Sequence, residues 1–577
     1  MPDRVQWSKK DRQKGIFMKT YKMNLCLALV CVALYMVILG GLIPFVYGII
    51  DDRSMMEIVS GQYLGVPDPH TIFLGYWYSV FLTVLYTAVP NIDWYALCFL
   101  ILQAVCMCLI VYRMLCSREG KREKAVCIVF SFLVFAAFGL QATVQLSFTM
   151  TAAVLGVTAV LWYEMAEKIR AKDVFLLFAL LFLTSQVRYD IFCMVVPVCV
   201  VLWIFRTVVQ KQRYPEQYLL PLLAVLIFAA VALGNLVGYG SAEWRAYKSY
   251  DNSRTAIYDF PDYTFPEYEG AEELYSSVGI ETKSRARTLI NYNYTADDQI
   301  TPEFFRDYIE AYQKMYPSEQ TVVQRLVQSV KDYLKGVRDN RFYMQHLLGL
   351  AMYAGLVILA LWKKEWGLLG KTLCTGGIQG IMWIYLLYKG RIPDRVIYSM
   401  NLMMLVTAFL LWREIFPRIS LPGAARKAGV VACMFVLCYL AGAQTAKFRG
   451  KNQELSRWNQ NIESLKEYCM EHPDNFYFND VTSLAFTTYN VRLWRDQPYV
   501  MNYMSLGDWM SFSPIWKKKL EQEGIESVKE ALYGRNNVYL ICSFDKGLEY
   551  LVSLYLNVEC TEVDDIPGFE IYSLQSL

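Results

Sequence analysis

Apolar runs of about twenty residues recur along this chain of 577 residues, and each is long enough to cross a membrane as one α-helix. Hydrophobic residues make up 55% of the sequence and charged residues only 19%, so the apolar content exceeds that of ordinary soluble domains. The sequence therefore predicts a polytopic α-helical membrane protein. Eleven runs are predicted to be spans: 25–48, 94–112, 125–140, 144–163, 174–190, 191–206, 218–238, 345–362, 367–388, 396–412 and 428–445.

The overall charge of the chain limits the kinds of partner that it is expected to bind. The formal net charge is only +3, whereas a surface that binds nucleic acid needs clustered excess Lys and Arg. We therefore expect membrane lipid as a partner and no nucleic acid.

The distribution of Lys and Arg between alternate loops predicts the orientation of the spans. If the apolar stretch 71–89 does not cross, the N-terminal segment and alternate short loops hold 25 basic residues, and the opposite short loops hold 5. Because basic loops stay in the cytoplasm, we expect a multi-pass protein of the cell membrane with a cytoplasmic N-terminus. The first apolar run lacks a small-x-small cleavage site, so it is interpreted as a retained span.

The stretch 71–89 is long enough to span, but a full crossing would place the basic cluster that ends at Lys124 outside. We therefore predict an interfacial or re-entrant helix in the first external loop. Its aromatic residues, such as Tyr76, Trp77 and Tyr86, suit the headgroup layer of a membrane.

The same topology divides the chain into two domains. Residues 1–445 are predicted to form the transmembrane domain, with external loops at 49–93 and 239–343. Residues 446–577 combine an amphipathic helix at about 455–470 with short strand-like runs, including 476–479 and 538–542. This alternation favours a small extracytoplasmic α/β domain.

Two adjacent carboxylates, Asp51 and Asp52, follow the first predicted span directly. Such a pair at a membrane boundary suits a general base or a metal site. The alternative is a solvated helix cap with Arg53 as a local partner.

The short loop that contains Lys389, Arg391 and Arg395 breaks the charge rule, because it places three basic residues on the outer side. Arg and Lys there suit an anionic phosphate, which Arg can bind through two hydrogen bonds. The alternatives are lipid headgroups or acids of neighbouring loops.

Three more residues are candidates for substrate binding. Arg188 and Asp190 lie near the outer end of another predicted span, where ionisable side chains often mark function. An internal ion pair between them is the alternative. His70, in the first external loop, is a candidate for positioning a donor phosphate, although a lone His is more often structural.

Together these features resemble the polytopic GT-C class of glycosyltransferases, which take a sugar from a polyprenyl-phosphate carrier at the outer membrane face. The resemblance rests on Asp51 and Asp52, the interfacial helix that follows, the outward loop with Arg391 and Arg395, and the exported C-terminal domain. It implies transfer of a sugar from a polyprenyl-phosphate-linked donor to a glycan, lipid or protein acceptor, with inversion. It also implies that Asp51 or Asp52 acts as the base or as a ligand of a divalent cation, Mg²⁺ or Mn²⁺, while no cofactor is certain.

Two other function classes stay open. A transporter or flippase of a lipid-linked glycan would typically show inverted repeats and charges at mid-span, and neither is visible in the sequence. A non-catalytic membrane scaffold would need no acids at particular positions, so activity without Asp51 and Asp52 would favour it.

Overall fold

The structure is a computed structural model, and it describes residues 9–577 except 213, 318–319, 420–421, 485–487, 495–499, 544–547 and 556. The helices, numbered in chain order, are α1 Lys9–Leu42, α2 Ile50–Val59, α3 Tyr76–Ala88, α4 Trp94–Cys116, α5 Lys121–Val134, α6 Leu140–Val144, α7 Phe148–Met165, α8 Ala171–Val187, α9 Tyr189–Ile204, α10 Leu219–Tyr239, α11 Ala242–Tyr258, α12 Glu272–Ser277, α13 Lys283–Ile290, α14 Phe304–Met315, α15 Val322–Arg338, α16 Tyr343–Trp362, α17 Trp366–Lys389, α18 Asp394–Ile415, α19 Gly423–Glu471, α20 Val481–Leu484, α21 Pro514–Gln522, α22 Val528–Gly534 and α23 Leu548–Val552. The strands are β1 Val46–Tyr47, β2 Gln145–Leu146, β3 Phe476–Asn479, β4 Tyr503–Ser505, β5 Val538–Cys542, β6 Val558–Ile566 and β7 Phe569–Ser576.

Long apolar helices dominate the architecture, which confirms the prediction of a multi-pass α-helical membrane protein. Within the part of the chain that the structure describes, nine helical segments are long and apolar enough to cross a membrane. These segments are Tyr21–Leu42, Trp94–Cys116, Lys121–Val144, Phe148–Met165, Tyr189–Val209, Pro215–Tyr239, Tyr343–Trp362, Asp394–Arg418 and Gly423–Glu471. The predicted spans at 174–190 and 367–388 correspond to α8 and α17, which are not among the nine, so the count of eleven stays a prediction.

Helix α7 lies at the centre of the bundle and is buried along almost its whole length. It packs against α4, α8, α9 and α18. Small residues allow this close approach: a Cβ added at Gly156 would lie 2.5 Å from a methyl carbon of Val195. Such packing of small residues is a common way for helices to associate within a membrane.

Helix α3 occupies the stretch that was predicted to lie at the membrane interface. Its 13 residues extend for only about 20 Å, which is too short for a full span. It packs against α10, where Trp77 Nε1 donates a hydrogen bond to the carbonyl oxygen of Ala230 at 2.9 Å. Gly238 of α10 makes room for Tyr76, because an added Cβ would lie 2.3 Å from that ring. Its placement in the headgroup layer stays a prediction.

Helix α19 is continuous over 49 residues, and the predicted domain boundary at 445/446 falls inside it. The segment after it contains a five-stranded sheet in the order β4-β3-β5-β7-β6. Strand β3 pairs in parallel with β4 and β5, and β7 pairs antiparallel with β5 and β6. Strands β3 and β5 lie at the positions 476–479 and 538–542 that the sequence predicted.

The C-terminal segment packs directly on the chain that joins α1 to α2. The amide of Tyr47 donates a hydrogen bond to the carbonyl oxygen of Tyr489 at 2.9 Å, and the amide of Val491 donates one to Phe45 at 2.9 Å. These bonds add a segment of the tail to the short parallel pair of β1 and β2. The backbone just before Asp51 and Asp52 is therefore held by both the bundle and the tail.

Candidate active site

Helix α2 begins with Ile50, so both acids lie in its first turn. The N-terminus of a helix carries partial positive charge and unpaired amides, and it favours carboxylates at this position. Gly48 enables the chain to enter the helix here, because a Cβ at this position would lie 3.0 Å from the carbonyl oxygen of Gln145. The close pairing of β1 with β2 thus fixes where the helix begins.

Asp52 is fully buried and joins three helices. Its Oδ1 accepts hydrogen bonds from the Tyr95 hydroxyl at 2.7 Å and from the Phe148 amide at 2.9 Å. Its Oδ2 is buried without a hydrogen-bond partner among the described residues. Burial raises the pKa of Asp52 to about 7, although the hydrogen bonds from Tyr95 and Phe148 oppose the shift. Asp52 therefore ties α2 to α4 and α7 and stays away from solvent.

Asp51, in contrast, is partly accessible and faces cations. Its Oδ2 lies 3.4 Å from Nη2 of Arg395, and about a fifth of each side chain is exposed (19% and 20%). Burial raises the pKa of Asp51, while the positive charges of Arg395, Arg188 and Arg391 lower it. The structure thus brings the first predicted acid together with three predicted arginines.

Arg188 lies between α8 and α9 and approaches the cluster from another side. Its Nη2 forms an ion pair with Asp190 Oδ2 at 2.7 Å, as the alternative interpretation of this pair expected. Its guanidinium also lies over the rings of Phe148 and Phe73, at 5.1 Å and 5.6 Å from the ring centroids. Asp190 is largely exposed, and the positive charge of Arg188 also acts on Asp51.

The three basic residues at the end of α17 and after it have different surroundings. Gly390, at a φ of 75°, ends the helix in the left-handed conformation that favours glycine. Lys389 lies before this turn, is exposed and makes no ion pair with any described residue. Arg391 lies after the turn, where its Nη1 pairs with Asp259 Oδ2 at 2.9 Å. Only Arg391 and Arg395 of this loop therefore act on Asp51.

His70 lies outside this cluster. Its Nδ1 is 2.7 Å from Asp68 Oδ1, and its Nε2 is 3.0 Å from the carbonyl oxygen of Gly238. Its ring stacks on Trp244 at a centroid distance of 4.8 Å. These contacts give His70 a role in joining the segment between α2 and α3 to α10 and α11.

The acid pair fits a divalent cation poorly. The described residues include no group of three or more His, Cys, Asp or Glu side chains placed to hold a metal ion. The positive charges of Arg395, Arg188 and Arg391 act on Asp51, and they would repel a cation there. Asp52 uses one oxygen to accept two hydrogen bonds inside the core. We therefore derive no step through a metal ion.

Two further ionisable residues of α2 are buried: Glu57, which was not singled out from the sequence, and Arg53, which was considered only as a local partner of Asp51 and Asp52. Arg53 pairs with Glu57 at 3.9 Å, and its guanidinium lies 5.5 Å from the ring centroid of Tyr489. The Tyr489 hydroxyl donates a hydrogen bond to Glu57. The spacing of four residues between Arg53 and Glu57 on a helix was the available indication of the ion pair. The partner from the tail, 432 residues away, could not be found in this way.

No family model matches the chain, and no curated protein or solved structure matches it. Function therefore has to be argued from the chemistry of the site itself. The site offers one accessible carboxylate with a raised pKa beside three guanidinium groups. This arrangement can bind an anionic group and accept a proton in the same place.

Proposed function

We propose that the chain is a glycosyltransferase of the GT-C type, which moves a sugar from a polyprenyl-phosphate carrier to a hydroxyl acceptor. The observation that carries this proposal is the position of Asp51 beside Arg188, Arg391 and Arg395. A carboxylate alone would suit many roles. A carboxylate among cations suits a reaction that takes up a proton and releases a phosphate.

The proposed reaction is one in-line displacement. The acceptor oxygen forms a bond to the anomeric carbon of the donor sugar, and the bond from that carbon to the phosphate oxygen breaks. The acceptor proton passes to Asp51, and the electron pair of the broken bond leaves with the polyprenyl phosphate. Attack from the face opposite the leaving group inverts the anomeric configuration.

Asp51 suits the base better than Asp52 does. Asp51 is partly exposed, whereas Asp52 is fully buried and accepts hydrogen bonds from Tyr95 and Phe148. Burial raises the pKa of Asp51, so its carboxylate is a stronger base than a solvated one. Asp52 is then a positioning residue that sets the first turn of α2.

The arginines suit the leaving group. Negative charge gathers on the phosphate as the glycosidic bond breaks, so fixed cations stabilise the transition state more than the ground state. In the free protein Arg395 has Asp51 as its partner at 3.4 Å. A bound phosphate would be a second anionic partner for Arg395. The guanidinium would then stay close to both the base Asp51 and the leaving phosphate.

The predicted topology locates the proposed reaction on one side of the membrane. The charge distribution among the loops predicts that the acid site lies at the outer face of the cell membrane, with the C-terminal segment on the same side. That segment contacts the first external loop through Tyr489 and so lies near the site. We assign it as an exported α/β domain that supports the acid-bearing loop.

The test compares cells that carry the wild-type chain, a deletion, or the variants D51N and R395Q at equal membrane levels. We expect the deletion and both variants to lose one surface glycan substituent and to accumulate a polyprenyl-phosphate sugar. The matched controls are D307N and R306Q, which alter an exposed ion pair of the second external loop. In this pair Nη2 of Arg306 lies 3.0 Å from Oδ1 of Asp307. These controls should behave as wild type. Unchanged glycans in D51N and R395Q, together with a defect in the deletion, would refute the proposal and favour a transporter or a scaffold.

A further inference from the structure

A large cavity opens between the helix ends that lie far from the acid site. Helix α7 connects the two places: the amide of Phe148 at its start binds Asp52, and Glu164 near its end lines the cavity. The separation of sixteen residues corresponds to about 24 Å along the helix. The cavity has a volume of about 1150 Å³, which is ample for a lipid headgroup.

The acids of this cavity already have partners. Lys371, which is only 2% exposed, binds Glu164 at 2.7 Å and Glu414 at 3.2 Å. The third acid, Glu365, pairs with Arg418. Three acids of the lining are therefore paired with two cations, and one negative charge is left over.

The remaining arginines of the lining outnumber the one acid charge that is left over. Arg118, Arg413 and Arg426 line the cavity, are exposed, and form no ion pair with any residue in the described ranges. Arg413 lies near the positive charges of Arg113 and Arg118 and near the negative charges of Glu164 and Glu167. With Lys371 and Arg418 included, five cations face three acids, so the cavity has an excess of two positive charges. This excess favours an anion as occupant, and guanidinium groups match the oxygens of a phosphate.

The other wall of the cavity is apolar. Phe205, Leu368, Phe409 and Trp412 line it, and all come from the ends of long apolar helices. A soluble anion would gain nothing from this wall, whereas the first part of an acyl chain would bury surface there. Basic pockets between membrane helices are typical sites for anionic lipid headgroups.

We infer that this cavity binds the phosphate headgroup of an anionic phospholipid, in the leaflet opposite the acid site. The phosphate lies between Arg118 and Arg413, and an acyl chain follows the apolar wall toward the membrane. The loop charges predict that this leaflet is the cytoplasmic one. The inference does not depend on the proposed transfer reaction, because it concerns separate residues and needs no catalysis.

The test uses the purified full-length chain in detergent, with phosphatidylglycerol or phosphatidylcholine added in matched amounts. Lipid binding is measured by native mass spectrometry and by the shift in melting temperature. The variant R118Q/R413Q removes both central cations, and R122Q removes an exposed Arg of the same region that does not line the cavity. Because all three positions are exposed, the variants are expected to fold.

We expect phosphatidylglycerol, but not phosphatidylcholine, to be retained by the wild-type chain and to raise its melting temperature. R122Q should behave as wild type, and R118Q/R413Q should bind phosphatidylglycerol about tenfold or more weakly. Equal effects of the two lipids, or unchanged binding in R118Q/R413Q, would overturn the inference. The same thermal shift with glycerol phosphate alone would also overturn it, since the site would then take a soluble phosphate.

Discussion

Asp52 gives a quantitative prediction about the stability of the protein. Its pKa in the folded chain is about 7, and an unfolded Asp has a pKa of about 3.9. The folded state therefore holds a proton that the unfolded state has already lost at pH 5 to 7. A raised carboxyl pKa costs stability as the pH rises, and this cost reaches its full size above the folded pKa.

The size of the effect follows from the two pKa values. The cost is about 1.5 kcal/mol at pH 5 and about 4 kcal/mol at pH 8. The variant D52N has no charge to bury, so it lacks this dependence on pH. The free energy of unfolding of D52N, relative to wild type, should therefore increase by about 2 to 3 kcal/mol between pH 5 and pH 8.

The assay is denaturant unfolding of the purified chain in mild detergent at pH 5, 6.5 and 8, followed by tryptophan fluorescence. The control is D474N, which removes an exposed carboxylate in the turn after α19. The unfolding free energy of D474N should depend on pH in the same way as that of wild type. If the unfolding free energy of D52N also has the wild-type dependence on pH across this range, the burial assigned to Asp52 is wrong.

Two further substitutions test how the tail docks on the rest of the chain. Y489F removes the hydroxyl that donates a hydrogen bond to buried Glu57. We therefore expect the unfolding free energy to fall by about 1 to 3 kcal/mol and the melting temperature to fall with it. An unchanged melting temperature would contradict this contact. G507A places a Cβ 1.7 Å from the carbonyl oxygen of Tyr292, so limited proteolysis should release the tail faster than in wild type. The control G450A lies in a helix with open space around the added Cβ and should leave tail protection unchanged; equal protection in both variants would show that the tail does not dock as described.

The sequence could predict the membrane fold because the relevant information is local. A run of apolar residues specifies a span by itself, and short strands such as β3 and β5 are visible as β-branched and aromatic runs. Helix α3 could be distinguished from a span only through the charges of distant loops. The second partner of β3 was not predicted, because β4 has only three residues and no distinctive pattern.

The candidate site was predictable only in part. Asp51 and Asp52 are adjacent in the sequence, yet one faces arginines and the other faces the core, because successive residues on a helix point in different directions. The contact of Arg395 with Asp51 bridges 344 residues, and no local pattern encodes it. Lys389 and Arg391 lie on opposite sides of the turn at Gly390. The sequence alone does not show which of the two side chains reaches an acid.

The measurement that tests the proposed reaction most directly uses the lipid that accumulates in the deletion cells. Purified wild-type chain in lipid nanodiscs is incubated with that polyprenyl-phosphate sugar fraction and an acceptor extract, and release of polyprenyl phosphate is followed by mass spectrometry. We predict release by wild type and by D307N, and a rate lower by a factor of about 100 to 10,000 for D51N. Equal release by D51N and wild type, or no release by wild type, would contradict the assignment of Asp51 as the base of a glycosyltransferase.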